Sequence, residues 1–287
     1  MVSRLEVRKT YKLYIGGNFP RSESGRSYPA LDHRGEIAAR VAAGTRKDLR
    51  MAVRAARSAQ SGWAARSGYN RGQILYRVAE MVEDRASAFS AAVRLSGVGS
   101  AGARREVARS IDRLVWYAGW ADKFAQVLGN LNPVSGPFFN ISVPEPTGVV
   151  GIIAAESSPL LGLVSRLAPV IVSGNTAVVL ASEQWPTPAI TLAEALATAD
   201  VPGGVVNILT GPKDGMVPYL SSHLDVNAVD AYGAEPGQME EIEQAAAGGA
   251  KRVARSPRTK LDRDKAQSPY MIAAFTEIKT VWHPKGL

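Results

Sequence analysis

Hydrophobic positions concentrate in one stretch, 146–183, and their spacing changes twice along it. Residues 147–154 are a short apolar run rich in β-branched side chains, which predicts a buried strand. Pro159 stands at the first helical position. Apolar residues then recur at Leu160, Leu161, Leu163, Val164, Leu167, Ala168, Val170 and Ile171. Gly174-Asn175 stops that helix, and 176–180 predicts a second buried strand. Strand, helix and strand at this length form a βαβ unit, which requires parallel pairing and a right-handed crossover.

Upstream, Gly16-Gly17 supplies the two-residue turn of a hairpin, and 36–43 reads as a short strand. Thr45 with Asp48 three residues on predicts a capping box opening a helix from 46 to about 63. A second helix is expected over 71–95, with Ile74, Leu75, Val78, Met81 and Val82 as its inner stripe. A third is expected over 101–127. Trp116, Tyr117 and Trp120 on that helix have the spacing of packing residues rather than of a ligand cage. Pro133, Gly136 and Pro137 break the helical period, and 138–143 alternates as a strand. Beyond 183 the alternation continues with a helix over 187–198, a strand over 204–209, a short helix over 213–221, a strand over 226–231 and a helix over 236–247. Four strands alternating with helices predict an α/β fold, a doubly wound parallel sheet.

Composition narrows the chemistry. None of the 287 residues is cysteine, which excludes disulfides, thiolate metal sites and thiol nucleophiles from them. His33, His223 and His283 are too scattered in sequence to suggest a metal site, so no metal ligand is assigned. Arg166 interrupts the most apolar region and the first residues lack an apolar signal core, so a cytoplasmic location is expected. The net charge of +8 is read as arginines spread over helical faces rather than as a nucleic-acid footprint. Seven basic residues (Lys251, Arg252, Arg255, Arg258, Lys260, Arg263, Lys265) stand against Asp262 and Asp264 over 251–265. Without interleaved aromatics they read as a solvated, partly disordered connector.

The segments PTGVVGII, LAPVIVSGNT, ASEQ and PGGVVNILTGP, with LYIGG near the start, resemble the nucleotide-binding half of the aldehyde dehydrogenase family. The tail YMIAAFTEIKTVW resembles that family's extreme C-terminus. The resemblance implies a Rossmann-like core over 146–250 behind N-terminal strands and helices over 1–128. It also implies an oligomerisation module made of a hairpin over 129–145 and a C-terminal strand over 270–287. A basic linker over 251–269 stands where the family has its catalytic domain.

The resemblance implies four requirements for aldehyde oxidation: a thiolate, an oxyanion donor, a carboxylate that activates water, and NAD as hydride acceptor. The family's asparagine donor aligns with Ser157, with Ala155 and Glu156 at its proline and tryptophan positions. Glu156-Ser157-Ser158 reads either as a new site or as a relaxed loop, the reading preferred here. The ribose-contacting lysine aligns with Leu180, while Ser182 and Glu183 match the family. In the pyrophosphate turn Gly233 survives, with Ala234 in place of a hydroxyl and Glu235 adding negative charge. Ser182, Glu183, Gly211 and Gly233 are therefore the candidate cofactor residues, no catalytic residue is assigned, and NAD(P) binding is expected to be weak or absent.

The reading that follows is a non-catalytic subunit that assembles with a full-length active aldehyde dehydrogenase or with itself. The alternatives are an NAD(P)-dependent aldehyde dehydrogenase and a stand-alone dinucleotide-binding protein. The C-terminal strand is expected to pair with a neighbouring subunit rather than with its own chain's sheet. Its uncharged side, with Ala274, Thr276, Ile278, Thr280 and Trp282, is expected to face a core.

Overall fold

The computed structural model describes residues 9–255, 260–261 and 263–286. Near the N-terminus, β1 (Thr10–Tyr11), β2 (Ser27–Leu31) and β3 (Ile37–Ala42) form a small sheet with β3 in the centre. The Gly16-Gly17 turn forms as the sequence predicts. Both glycines have positive φ, and Ile15 and Asn18 exchange backbone hydrogen bonds of 3.0 and 3.1 Å. The capping box also forms. The Thr45 N–H donates to the Asp48 carboxylate at 2.9 Å, and the Asp48 N–H donates to the Thr45 hydroxyl at 3.3 Å, opening α1 (Arg46–Ala64).

The helix expected over 71–95 is two helices, α2 (Gly68–Asp84) and α3 (Ala86–Arg94). Arg85 leaves helical geometry at φ −102, ψ 18. Its guanidinium donates to the Met81 carbonyl at 3.1 Å and the Thr198 hydroxyl at 3.2 Å, and the bend sets Phe89 and Val93 in the core. The helix expected over 101–127 likewise divides into α4 (Ser100–Trp120) and α5 (Phe124–Leu128). Trp116 packs against both Tyr117 and Trp120, and Tyr117 is fully buried, as packing residues should be.

After the hairpin of β4 (Asn130–Asn132) and β5 (Phe138–Pro146), the chain enters the main sheet. Its strands are β6 (Val149–Ile153), β7 (Thr176–Leu180), β8 (Val206–Leu209), β9 (Ala228–Asp230) and β10 (Arg252–Ala254), in the spatial order β10-β9-β6-β7-β8 and all parallel. Between them run α6 (Leu161–Val172), α7 (Thr187–Leu196), α8 (Val217–Ser222) and α9 (Pro236–Ala247). Side chains of β6 and β7 alternate between two cores. Val150, Ile152, Ala177 and Val179 pack with α2, α3, α4, α6 and α7. Val149, Ile153, Val178 and Leu180 pack with α1, α8 and α9 on the other face. The fold is therefore the doubly wound α/β sheet that the sequence predicts. Four strands were expected and, among the described residues, five form. β10 is three residues long and lies inside the charged stretch, too short to show a period.

The basic stretch is not simply a solvated connector. Beyond β10, Arg113 of α4 donates to the Leu261 carbonyl at 2.9 Å and the Gln267 side chain at 3.1 Å. α10 (Pro269–Ala273) then buries Ile272, and Phe275 follows it at 0% exposure. The chain here covers the face of α4 and α6; Arg258 and Asp262 lie outside the described residues.

The C-terminal strand departs from expectation too. β11 (Thr276–Pro284) pairs antiparallel with its own chain's β5 over nine residues, giving a sheet of order β11-β5-β4. The Phe275 carbonyl accepts from the Asn175 side chain at 2.7 Å and the Thr147 N–H at 3.2 Å, and this places β11 alongside β5. Ile278 and Trp282 are 54% and 58% exposed rather than buried against a core of this chain. The apolar stripe across the three strands lies on the opposite face, where Leu131, Ile141 and Val281 stand in register, all exposed.

Candidate functional site

In an open doubly wound sheet the ligand crevice lies beyond the carboxyl ends of the strands, where the winding reverses. Here the reversal is at β6, which has β7 on one side and β9 on the other. Four strand ends meet there: Ala154–Ser158 after β6, Ser182–Gln184 after β7, Gly211–Lys213 after β8 and Tyr232–Glu235 after β9.

Glu156 fills the centre of this crevice. Its carboxylate accepts from the Ser182 hydroxyl at 2.5 Å, the Glu183 N–H at 3.1 Å and the Gln184 N–H at 3.0 Å. It also forms an ion pair with the Lys213 ammonium, which donates at 2.5 Å to the Ala154 carbonyl. Ser182 and Lys213 are 2% and 6% exposed, so both sit deep in the chain. Burial alone would push the Glu156 carboxyl up. The Lys213 ammonium, the Ser182 hydroxyl and the Gln184 N–H outweigh it and hold that carboxyl below the usual range. The loop after β6 is therefore not slack at Glu156, contrary to the relaxed-loop reading.

A second carboxylate takes the donors at the next helix. The N–H groups of Leu160 and Leu161, at the start of α6, donate to Glu106 of α4 at 3.0 and 3.2 Å. This capping moves the helix start past Pro159, which precedes α6 rather than opening it. Burial pushes the Glu106 carboxyl up, against the pull of those two N–H groups. Beside it, Ser158 holds φ +51, a left-handed conformation uncommon for serine.

The sequence candidates fall around this centre in different roles. Ser182 faces Glu156 directly, while Glu183 turns its own carboxylate to accept from the Lys213 N–H at 3.0 Å. Gly233 lies against the end of β6, where an added Cβ would sit 2.2 Å from the Ala154 backbone, so only glycine fits. Gly211 instead meets the Gly44 backbone at φ +130, a close crossing of two segments. Leu180, at the family's lysine position, is fully buried in the core on the α1 side. Glu235 is the N-cap residue of α9 with Pro236 behind it, and its own N–H donates to the Gln238 side chain at 3.1 Å.

Glu106, Lys213 and Tyr28 were not picked out as site residues from the sequence. Burial first, then the charges of Glu183 and Glu156, push the Tyr28 phenol far above its usual range. No short motif marks these three, because their partners lie 54, 57 and 155 residues away in sequence. Among the described residues no group of three or more His, Asp or Glu side chains is placed to hold a metal, and no helix is long and apolar enough to cross a membrane.

A parallel sheet wound both ways around a crevice at its central strand places the chain in the Rossmann-like α/β class. The sequence profile of the aldehyde dehydrogenase family matches residues 21–255, and the chain belongs to that family. Human aldehyde dehydrogenase 1A1 is 32% identical over 253 residues, covering 86% of this chain and 49% of that protein. Mitochondrial aldehyde dehydrogenase family 2 member B4 of Arabidopsis thaliana is 35% identical over 222 residues, covering 75% and 40%. HpcC of Thermus thermophilus superposes with a TM-score of 0.81 at 30% identity, over 85% of this chain and 47% of its own. PnpE in complex with nicotinamide adenine dinucleotide gives 0.80 at 28% identity, over 85% and 50%. The chain spans about half the length of the relatives it matches.

Proposed function

We propose that this chain is a non-catalytic aldehyde-dehydrogenase-family subunit that assembles through its three-stranded sheet with a full-length active relative. The observation that carries this reading is the Glu156 carboxylate in the crevice, bonded to Ser182, two backbone N–H groups and Lys213. Polar groups that a dinucleotide would use are committed to the chain's own side chains. A bound ribose or phosphate first has to displace a half-buried, ion-paired carboxylate. The crevice as it stands does not fit the cofactor, and weak or absent NAD(P) binding follows.

The absence of cysteine from the 287 residues supports the same reading, because the thiolate step implied by the family has no thiol here. The exposed apolar stripe of Leu131, Ile141 and Val281 supports assembly, since such stripes on a sheet are commonly covered by a partner. A pull-down of the tagged chain from its native cell, with the mass of the intact complex determined, tests the reading. A full-length family member in defined ratio is the expected result. Recovery of the chain without one, or NADH production from aldehydes by the purified chain alone, contradicts it.

A further inference from the structure

The end of the main sheet away from the crevice holds a second concavity. It lies at the amino ends of β6 and β7, where Pro146 precedes one strand and Ser173 the other, and it is bounded by α5 and the turn between α1 and α2. Its volume is about 660 Å³, within the range of small-molecule sites. Ala64, Phe124, Pro144 and Pro146 give it apolar walls, and Gln60 and Arg71 bring polar groups to it.

Arg71 is 8% exposed and differs from the other two buried arginines of the described residues. Arg166 pairs with Asp230 at 2.6 Å, and Arg113 commits all three of its guanidinium nitrogens to acceptors. Arg71 donates from Nε to the Val172 carbonyl at 3.0 Å, and from Nη1 to the carbonyls of Ala64, at 3.2 Å, and Arg66. Nη2 has no acceptor among the described residues, so it is the nitrogen left to the cavity. Burial pulls the Arg71 pKa below its usual value, and no neighbouring carboxylate opposes that pull. Only the partial charges of the last carbonyls of α1 and α6 offset the buried cation.

The two carboxylates that line the same cavity already have partners. Asp122 pairs with Lys123 at 3.1 Å, and Glu145 pairs with Lys279 at 3.2 Å. The cavity therefore holds one cation without an anion. Gln60, whose amide has no bond among the described residues, supplies a second donor. A guanidinium edge matches carboxylate oxygens in geometry and charge. A monoanion balances Arg71, whereas a dianion also meets the repulsion of Asp122 and Glu145.

We propose that this cavity binds a small monocarboxylate, with its oxygens on Arg71 and Gln60 and its apolar body against Phe124 and the two prolines. The site is separate from the dinucleotide crevice and needs no catalytic domain. A bound acid would bridge α1, α2, α5 and β5 and stabilise the fold by mass action.

Calorimetric titration of hexanoate into the purified chain tests it. One site per chain is expected, with affinity at least about tenfold above that for 1-hexanol, which has the same tail and no charge. Hexyl phosphate, a dianion at about pH 8, should bind more weakly than hexanoate. R71Q removes the charge and should weaken hexanoate binding at least about tenfold. R71Q also loses bonds to two helix ends, so A125F approaches the cavity from exposed α5 and leaves those bonds in place. It fills space beside Phe124 and should weaken hexanoate by a similar factor, with thermal unfolding showing that each variant is folded. The wild-type comparisons decide even where a variant fails to fold. A titration that does not saturate, 1-hexanol or hexyl phosphate binding as tightly as hexanoate, or a folded A125F or R71Q with wild-type affinity overturns the proposal. None of these outcomes depends on NAD or on a partner chain, so they leave the functional reading to its own test.

Discussion

Glu156 and Glu106 do the same kind of work from different elements: each places a carboxylate where the fold offers converging donors. For Glu156 the consequence is a pH dependence of definite sign. Its carboxyl is held below the unfolded value, so its contribution to stability is complete above the ordinary carboxylate range. That contribution is lost as pH falls through the folded value. E156Q keeps the shape and removes the charge. Its stability should fall less steeply than wild type between neutral and acid pH, measured as denaturation midpoints across that range. Parallel curves for the two proteins would mean that the Lys213 pairing adds nothing in the folded state. Of the four cofactor candidates, Ser182, Glu183 and Gly233 do stand at the crevice, because short motifs at the strand ends carry them. Gly211 stands there too, at the end of β8, where it makes a close backbone crossing with Gly44.

At the scale of elements, strands buried on both faces were the most legible part of the sequence. β7 has the predicted bounds, and α9 begins and ends where predicted, with Pro236 and Gly248 as its punctuation. Breaks inside long helical patterns were not legible. Arg85 carries no breaker signal, and what bends the chain there is packing of Phe89 and Val93 against distant helices. The basic stretch over 251–265 departs from a solvated connector for a related reason. Its charges suggest solvent, yet the Leu261 carbonyl accepts from the buried Arg113. At the start of the expected C-terminal strand, Ile272 and Phe275 reach the core. F275A should therefore cost about 3–5 kcal/mol in chemical denaturation, the usual range for a large buried aromatic. A cost within about 0.5 kcal/mol, as for a surface position, would mean that Phe275 does not anchor the C-terminal segment in the core.

For the whole molecule, two features point the same way. The Glu156 carboxylate takes up donors at the crevice of the main sheet, and the second sheet presents an apolar stripe and, among the described residues, a strand edge with no neighbouring strand. On the proposed function, the first reduces what a nucleotide can gain, and the second offers another chain something to bury. Family membership was legible from the motifs. The inward-turned Glu156 was not, because a glutamate at a tryptophan position says nothing of its rotamer. Calorimetric titration of NAD into the wild-type chain and into E156A tests the role of that side chain directly. The wild-type chain should bind more weakly than about 1 mM, less than about 4.1 kcal/mol of binding free energy. E156A should bind at least tenfold more tightly. A micromolar dissociation constant for the wild-type chain, about 8.2 kcal/mol, or equal affinities for the two proteins, would contradict the claim that Glu156 closes the crevice.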